Sequence, residues 1–213
     1  PCPCQDRIVE KVIVLPAQSS DVPVLQAKGF EVTARSFGAR LDAADVDREG
    51  LVRLAWRAGD ETAVRELTVA DVDSVLDLDA ATLGDYPGGA ATQHVPFDRD
   101  AATPTEARRA WGAVTPEGRL LALTFVDLDG PRAETDVTVV RRGHRGRGLG
   151  TAVKAASVLA LADDGVSSFR MGGSAENAAI IRAGEALGYV RDEDWVTLER
   201  VPDDGLGRSR VQG

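Results

Sequence analysis

The run Arg142-Gly143-His144-Arg145-Gly146-Arg147-Gly148-Leu149-Gly150-Thr151 constrains this chain more than any other stretch. It follows a β-type run, Thr135 to Val140, and opens a segment with helical character. Glycines let a ligand come close to the backbone. Unpaired N–H groups at a helix start attract anions, and the arginines add positive charge. A strand, a glycine–arginine turn and a helix in that order make a phosphate cradle. A Gly/Arg-rich run can also be a flexible surface loop, but such loops rarely sit between a Val-rich strand and an amphipathic helix.

The background charge sharpens this reading. The formal net charge is −9, which argues against nucleic acid and anionic membrane surfaces as partners. Arg141, Arg142, Arg145 and Arg147 are the densest basic cluster in that acidic chain, so a local anionic target is expected. An acidic surface also favours a cationic partner such as an amine. No stretch is apolar for long enough to span a bilayer. Asp6, Arg7, Glu10 and Lys11 stand where a leader would have its apolar run, and a cytoplasmic protein is the expectation. Cys2 and Cys4 lack a second ligand pair and the histidines are only His94 and His144, so no metal site is expected.

Two segments echo each other. Gln26-Ala27-Lys28-Gly29-Phe30-Glu31-Val32 parallels Glu185-Ala186-Leu187-Gly188-Tyr189-Val190-Arg191, each following a helix pattern and leading into a β-type run. Residues 1–60 then read as the tail of one unit plus a connection, and 61–213 as a complete second unit. In the first, strands are expected at Arg7–Leu15 and Phe30–Leu41, with a helix at Ser20–Lys28 between them and a further strand at Leu51–Arg57.

The second unit opens with a strand at Ala63–Leu67 and a cap at Thr68 with Asp71 in the first turn. Val72, Val75, Leu76, Ala80 and Leu83 fall at helical spacing, and Gly84 to Gly89 ends that helix. Thr103-Pro104-Thr105-Glu106 predicts a second helix start. Strands follow at Trp111–Val114, Leu120–Val126 and Glu134–Val140, then a helix with Leu149, Val153, Ala156 and Ala160 on one face. A strand at Val166–Met171, a helix at Asn177–Leu187 ended by Gly188, and a strand at Trp195–Val201 complete the unit. This order predicts an α/β (mixed α+β) fold, a mixed sheet with helices on both sides.

Three loop chemistries compete for the phosphate. A Walker loop fails because Leu149 follows Gly148. The dinucleotide pattern fails at its third glycine, where Thr151 stands, and Arg170 and Met171 occupy the place of its acidic ribose contact. The pattern Arg/Gln-x-x-Gly-x-Gly/Ala is met by Arg145, Gly148 and Gly150. Here the chain resembles the GNAT N-acetyltransferase family, in which this loop binds the acetyl-CoA pyrophosphate. Asn177 with Ala186-Leu187-Gly188-Tyr189 looks like that family's later Asn…Leu-Gly-Phe/Tyr element. The resemblance spans roughly residues 62–200.

The resemblance implies a splayed sheet and direct acetyl transfer from acetyl-CoA to an amine. The strand Glu134–Val140 would splay from Val166–Met171 and admit the pantetheine arm. Val139 and Val140 would bind that arm through their backbones. Arg145, Gly146, Arg147, Gly148, Leu149, Gly150 and Thr151 would hold the pyrophosphate. A backbone N–H on the splayed strand would polarise the thioester carbonyl. Asn177 would contact the cofactor or order its loop.

Glu134 and Asp136, two apart on one strand face, are candidate bases or a solvated strand end. Asp85 and Tyr86 lie where the acceptor pocket is expected, with Asp85 an ammonium ligand or a turn residue. His94 reads as a loop residue. Many family members carry a tyrosine, four residues before the last element's glycine, as general acid; Gly184 stands there, and Tyr189 reads as core. The expected activity is N-acetylation of a small-molecule amine, the alternative being an acyl-CoA-binding module with a degenerate active site. The amine's identity and any homodimer stay open.

Overall fold

The computed structural model describes residues 12–59, 62–85 and 94–200. Thirteen elements organise them. The first five are β1 (Ile13–Pro16), α1 (Asp21–Ala27), β2 (Phe30–Asp42), α2 (Arg48–Ala55) and β3 (Ala63–Glu66). Next come α3 (Val72–Thr82), β4 (Arg108–Val114), β5 (Leu120–Asp129) and β6 (Arg132–Val140). The last four are α4 (Leu149–Asp163), β7 (Ser168–Ser174), α5 (Ala178–Leu187) and β8 (Val190–Arg200). The mixed α+β class expected from the order of elements is the one observed.

All strands join one eight-stranded sheet in the order β1-β8-β2-β7-β6-β5-β4-β3. Residues on both sides of the 60/61 boundary share it. β2 lies between β7 and β8 and pairs antiparallel with each. The echo seen in the sequence is structural: α1 and α5 both end at a glycine of positive φ, Gly29 at 85° and Gly188 at 91°, and each glycine feeds one of two adjacent strands. Only glycine turns a helix end this way without a Cβ penalty.

Only β6 and β7 run parallel, and their pairing covers three residue pairs, Arg132↔Ser168, Ala133↔Phe169 and Glu134↔Arg170. Beyond Glu134 the two strands part. Each keeps its outer partner, β6 with β5 and β7 with β2. The sheet therefore stays continuous but opens a wedge in its middle. Asp136 has no partner across β5, since Val137 opposes Phe125 and Thr135 opposes Val126. That bulge lies beside the wedge.

Helices cover both faces. On one, α2 and α4 pack with Leu41, Phe169 and Met171. On the other, Val72, Val75 and Leu78 of α3 meet Leu123, Phe125, Val137 and Val139. Thr68 forms the capping box with Asp71 that the spacing predicts.

Several local expectations fail for physical reasons. Leu51–Arg57 is not a strand: Asp47 caps α2 by accepting the Gly50 N–H at 2.9 Å, and a tight turn at Trp56–Ala58 follows. Leu51, Leu54 and Ala58 then meet the core at helical spacing. Burial of a leucine such as Leu51, 1% exposed, is worth roughly 1.5–3 kcal/mol. Thr103 to Glu106 starts no helix: Thr105 and Arg108 bond each other's backbones in a turn that launches β4. The buried face of α3 is Val72, Val75, Leu78, Asp79 and Thr82, and Ala80 and Leu83 are exposed. Asp79 turns inward because both its carboxylate oxygens have donors, described below.

The remaining differences are in length. The strand expected at Val166–Met171 is shifted to Ser168–Ser174, and the last strand begins at Val190. Asp127 to Asp129 extends β5, leaving Gly130-Pro131 as the turn into β6. Residues 7–11 of the first expected strand, and Cys2 and Cys4, lie outside the described residues.

A methyl group on Gly172 would sit 2.7 Å from the Phe37 carbonyl oxygen of β2. Gly172→Ala should therefore destabilise the protein by about 1–3 kcal/mol, read by denaturant unfolding. Unchanged stability would contradict the seating of β2 against β7.

Candidate functional site

A cavity of about 580 Å³ occupies the wedge. Thr138, Val139 and Val140 of β6 form one wall, and Ile180, Ala183 and Ala186 of α5 contribute another. The glycine–arginine turn and the first turns of α4 close one end. Thr82, the last residue of α3, and Asp85 just beyond it line the cavity from the opposite face of the sheet. The cavity thus reaches both faces through the opening between β6 and β7.

The turn is built by glycine geometry. Gly146 and Gly148 have φ of 75° and 83°, and Gly148 is the N-cap of α4. No side-chain hydrogen bond caps this helix start among the described residues, so first-turn N–H groups remain available to a ligand anion. Gly150 lies where a Cβ would meet Val140 Cγ2 at 3.3 Å and Thr138 Cγ2 at 3.7 Å. Its missing side chain lets α4 lie close on β6.

Of the residues expected to hold a cofactor, Val139, Val140, Arg145, Gly146, Gly148, Leu149, Gly150, Thr151 and Asn177 line this cavity, and Arg147 does not. Asn177 caps α5, its side-chain oxygen accepting the Ile180 N–H at 3.2 Å, so it orders the loop entering that helix. Arg145 donates through Nε to the Val140 carbonyl at 3.0 Å and through Nη2 to Asp85 at 2.5 Å. Arg142 donates to the other oxygen of Asp85. These two guanidinium groups hold the Asp85 carboxyl below the usual carboxylate range. Asp85 is thereby tied to the glycine–arginine turn. Tyr86 lies outside the described residues.

Neither Glu134 nor Asp136 is among the residues lining the cavity. Asp136 accepts from Arg108 Nη2 at 2.6 Å, and Asp127 accepts from Arg108 Nη1 at 2.6 Å. The Arg108 guanidinium lies over Phe125, 4.7 Å from the ring centroid, on the α3 face. Glu134 stands in the same cross-strand row as Asp127 and Arg108. The two acids thus sit beside the bulge, flanking the wedge, with Asp136 fixed in an ion pair. Tyr189 is core, 8% exposed. Burial raises the pKa of its hydroxyl, opposed by a hydrogen bond with Thr135.

Two features were not legible from local pattern. His94 is not a simple loop residue: its Nε2 lies 2.6 Å from Asp79 Oδ1, and Asp79 Oδ2 accepts the Phe97 N–H at 2.9 Å. This buried pair anchors the chain entering β4 onto α3. Lys154, one turn into α4, is 3% exposed and lines the cavity. A lysine in a helix ordinarily reads as surface. The only signal was its apolar company, Ala152, Val153, Ala155 and Ala156. Among the described residues no group of three or more His, Cys, Asp or Glu could hold a metal ion, and no helix is long and apolar enough to cross a membrane.

No family model matches this sequence, and no curated protein matches it in sequence. Solved structures match it in shape. A GCN5-related N-acetyltransferase from Sphaerobacter thermophilus superposes with a TM-score of 0.69 at 13% identity, over 91% of this chain and 61% of that one. A tandem GNAT protein from the clavulanic acid biosynthesis pathway gives 0.55 at 21%, over 92% of this chain and 64% of that one. A ribosomal-protein alanine N-acetyltransferase from Escherichia coli gives 0.51 at 16%, covering 68% of this chain and 99% of its own. The wedge between β6 and β7, the glycine turn that closes it and these superpositions agree: the chain has the GNAT fold.

Proposed function

We propose that this protein is an acetyl-CoA-dependent N-acetyltransferase acting on a small-molecule amine. The observation that carries this reading is the cavity in the wedge, with an uncapped helix start at one end and an unpaired strand edge along its side. The residues present fit such a donor. The first turn of α4, with Gly146 and Gly148 in left-handed conformations, suits a pyrophosphate. The edge of β6 at Thr138 to Val140, unpaired with β7 and with the Val140 carbonyl engaged by Arg145, suits the amides of a pantetheine arm, bound as an added strand. The thioester would supply an activated acetyl group.

The chain's own part is to orient the donor, exclude water and take up the amine proton. Glu134 and Asp136 flank the wedge on the α3 face, outside the cavity lining. Proton transfer through water suits that placement better than direct contact. Arg108 fixes the Asp136 carboxylate in position. The acidic chain suits a cationic acceptor.

A second reading has a specific observation in its favour. Gly184 is buried against Met171, and the nearby Tyr189 packs in the core, so the cavity lacks a tyrosine acid among the described residues. A CoA-binding module without turnover would look the same. Release of CoA thiol from acetyl-CoA across a panel of amines separates the two. Turnover with an amine supports the transferase. Acetyl-CoA binding with no turnover on any amine supports the module.

Gly148→Glu should abolish acetyl-CoA binding, since it puts a carboxylate and a strained φ at the anion turn. Retained affinity in calorimetry would remove the turn from the donor site. Glu134→Ala and Asp136→Ala should each slow transfer at neutral pH by about 10²-fold or more where the residue is the base. Wild-type rates in both variants would take these acids out of the mechanism.

A further inference from the structure

Lys154 presents an unusual chemical situation. Its amine is shielded from solvent and has no hydrogen-bond partner among the described residues, while the residue itself lines the wedge cavity. Buried polar groups almost always have partners, and an unpaired buried charge is costlier still. The lysine lies one turn beyond Gly150 and Thr151, and all three line the same cavity. Long helical side chains lean toward the helix N-terminus, the end of α4 at which the glycine–arginine turn lies. Asp85 is the only acidic residue lining the cavity among the described residues, and it is engaged by Arg142 and Arg145. The protein thus buries an amine beside its ligand cavity without supplying the acceptor for it.

Resting on the CoA reading above, we infer that Lys154 is an anion-binding residue of the donor cavity, pairing its ammonium with a negatively charged oxygen of the CoA thioester. Two kinds of group in such donors carry that chemistry: the phosphates, common to all of them, and a carboxylate at the end of an acidic acyl chain. Either raises the lysine's proton affinity on binding. In the free protein, burial pushes the Lys154 amine down from its ordinary 10.5 to about 7. Near pH 8 the free lysine is largely neutral, so binding takes up close to one proton.

The other ionisable groups lining the cavity are Arg57 before β3, Asp85 after α3, His144 and Arg145 in the turn, and Arg182 on α5. The quantity that isolates Lys154 from these groups is the difference between wild type and Lys154→Met.

Stability follows the same linkage. Between about pH 7 and 10.5 the unfolded chain holds a proton on Lys154 that the native chain lacks, so native stability gains as pH rises through that window. Lys154→Met removes this slope. It should fold with a melting temperature at or above that of wild type near pH 7, with the gap narrowing toward pH 10.

The test is calorimetric titration of wild type and Lys154→Met with CoA, acetyl-CoA and succinyl-CoA, at pH 8 in two buffers of different ionisation enthalpy. Loss of on the order of 10-fold or more in affinity for all three ligands, together with loss of the proton uptake, identifies a CoA phosphate as the partner. A loss confined to succinyl-CoA identifies the acyl carboxylate and a preference for acidic acyl groups. Equal affinities and equal proton uptake in both proteins overturn the inference while leaving the CoA reading standing. Failure of wild type to bind any of the three overturns the CoA reading, and this inference with it.

Discussion

The short parallel pairing of β6 with β7 is the constraint on which the rest of the site depends. Three residue pairs join the strands before they part. Backbone amides and carbonyls along a parted strand must find partners elsewhere. Inside a sheet, such an edge is sheltered from other chains and open only to what fits the gap. The fold holds the gap open by securing each strand on its far side, β6 to β5 and β7 to β2. The bulge at Asp136 and the close approach permitted by Gly150 bring the strand and α4 around the same opening.

The N-terminal segment is part of that support. β2 is the outer neighbour of β7, so the wall of the wedge opposite β6 rests on residues far away in sequence. Gly172, with no room for a side chain against Phe37, marks how closely the two are seated. The sheet is therefore completed by an interleaving of early and late strands: β1 against β8, β8 against β2, and β2 against β7.

The glycine–arginine turn was legible because several requirements coincide there: left-handed backbone at Gly146 and Gly148, contact distance at Gly150, and a helix start after a strand. The exits at Gly29 and Gly188 were legible for the same reason, since each conformation demands glycine. What stayed hidden was non-local. Asp79 and His94 are fifteen positions apart, and neither advertises a buried partner. Leu51 to Arg57 is too short for its apolar spacing to separate strand from helix, and the Asp47 cap decided it. Thr103 to Glu106 has the residues of a cap, but Thr105 serves a turn into β4 instead. Lys154 shows the limit most clearly, because a helical lysine is outside unless the fold surrounds it.

The interleaved strand order also governs how this chain acquires its structure. β1 and β2 leave the ribosome early, while their partners β7 and β8 are made more than a hundred residues later. Until then β2 lacks both its neighbours. Pairings that close such long loops form slowly, and unpaired edges attract other strands in the meantime. The arrangement that steadies the wedge in the finished protein thus makes its N-terminal strands the segment most dependent on prompt synthesis of the C-terminal ones.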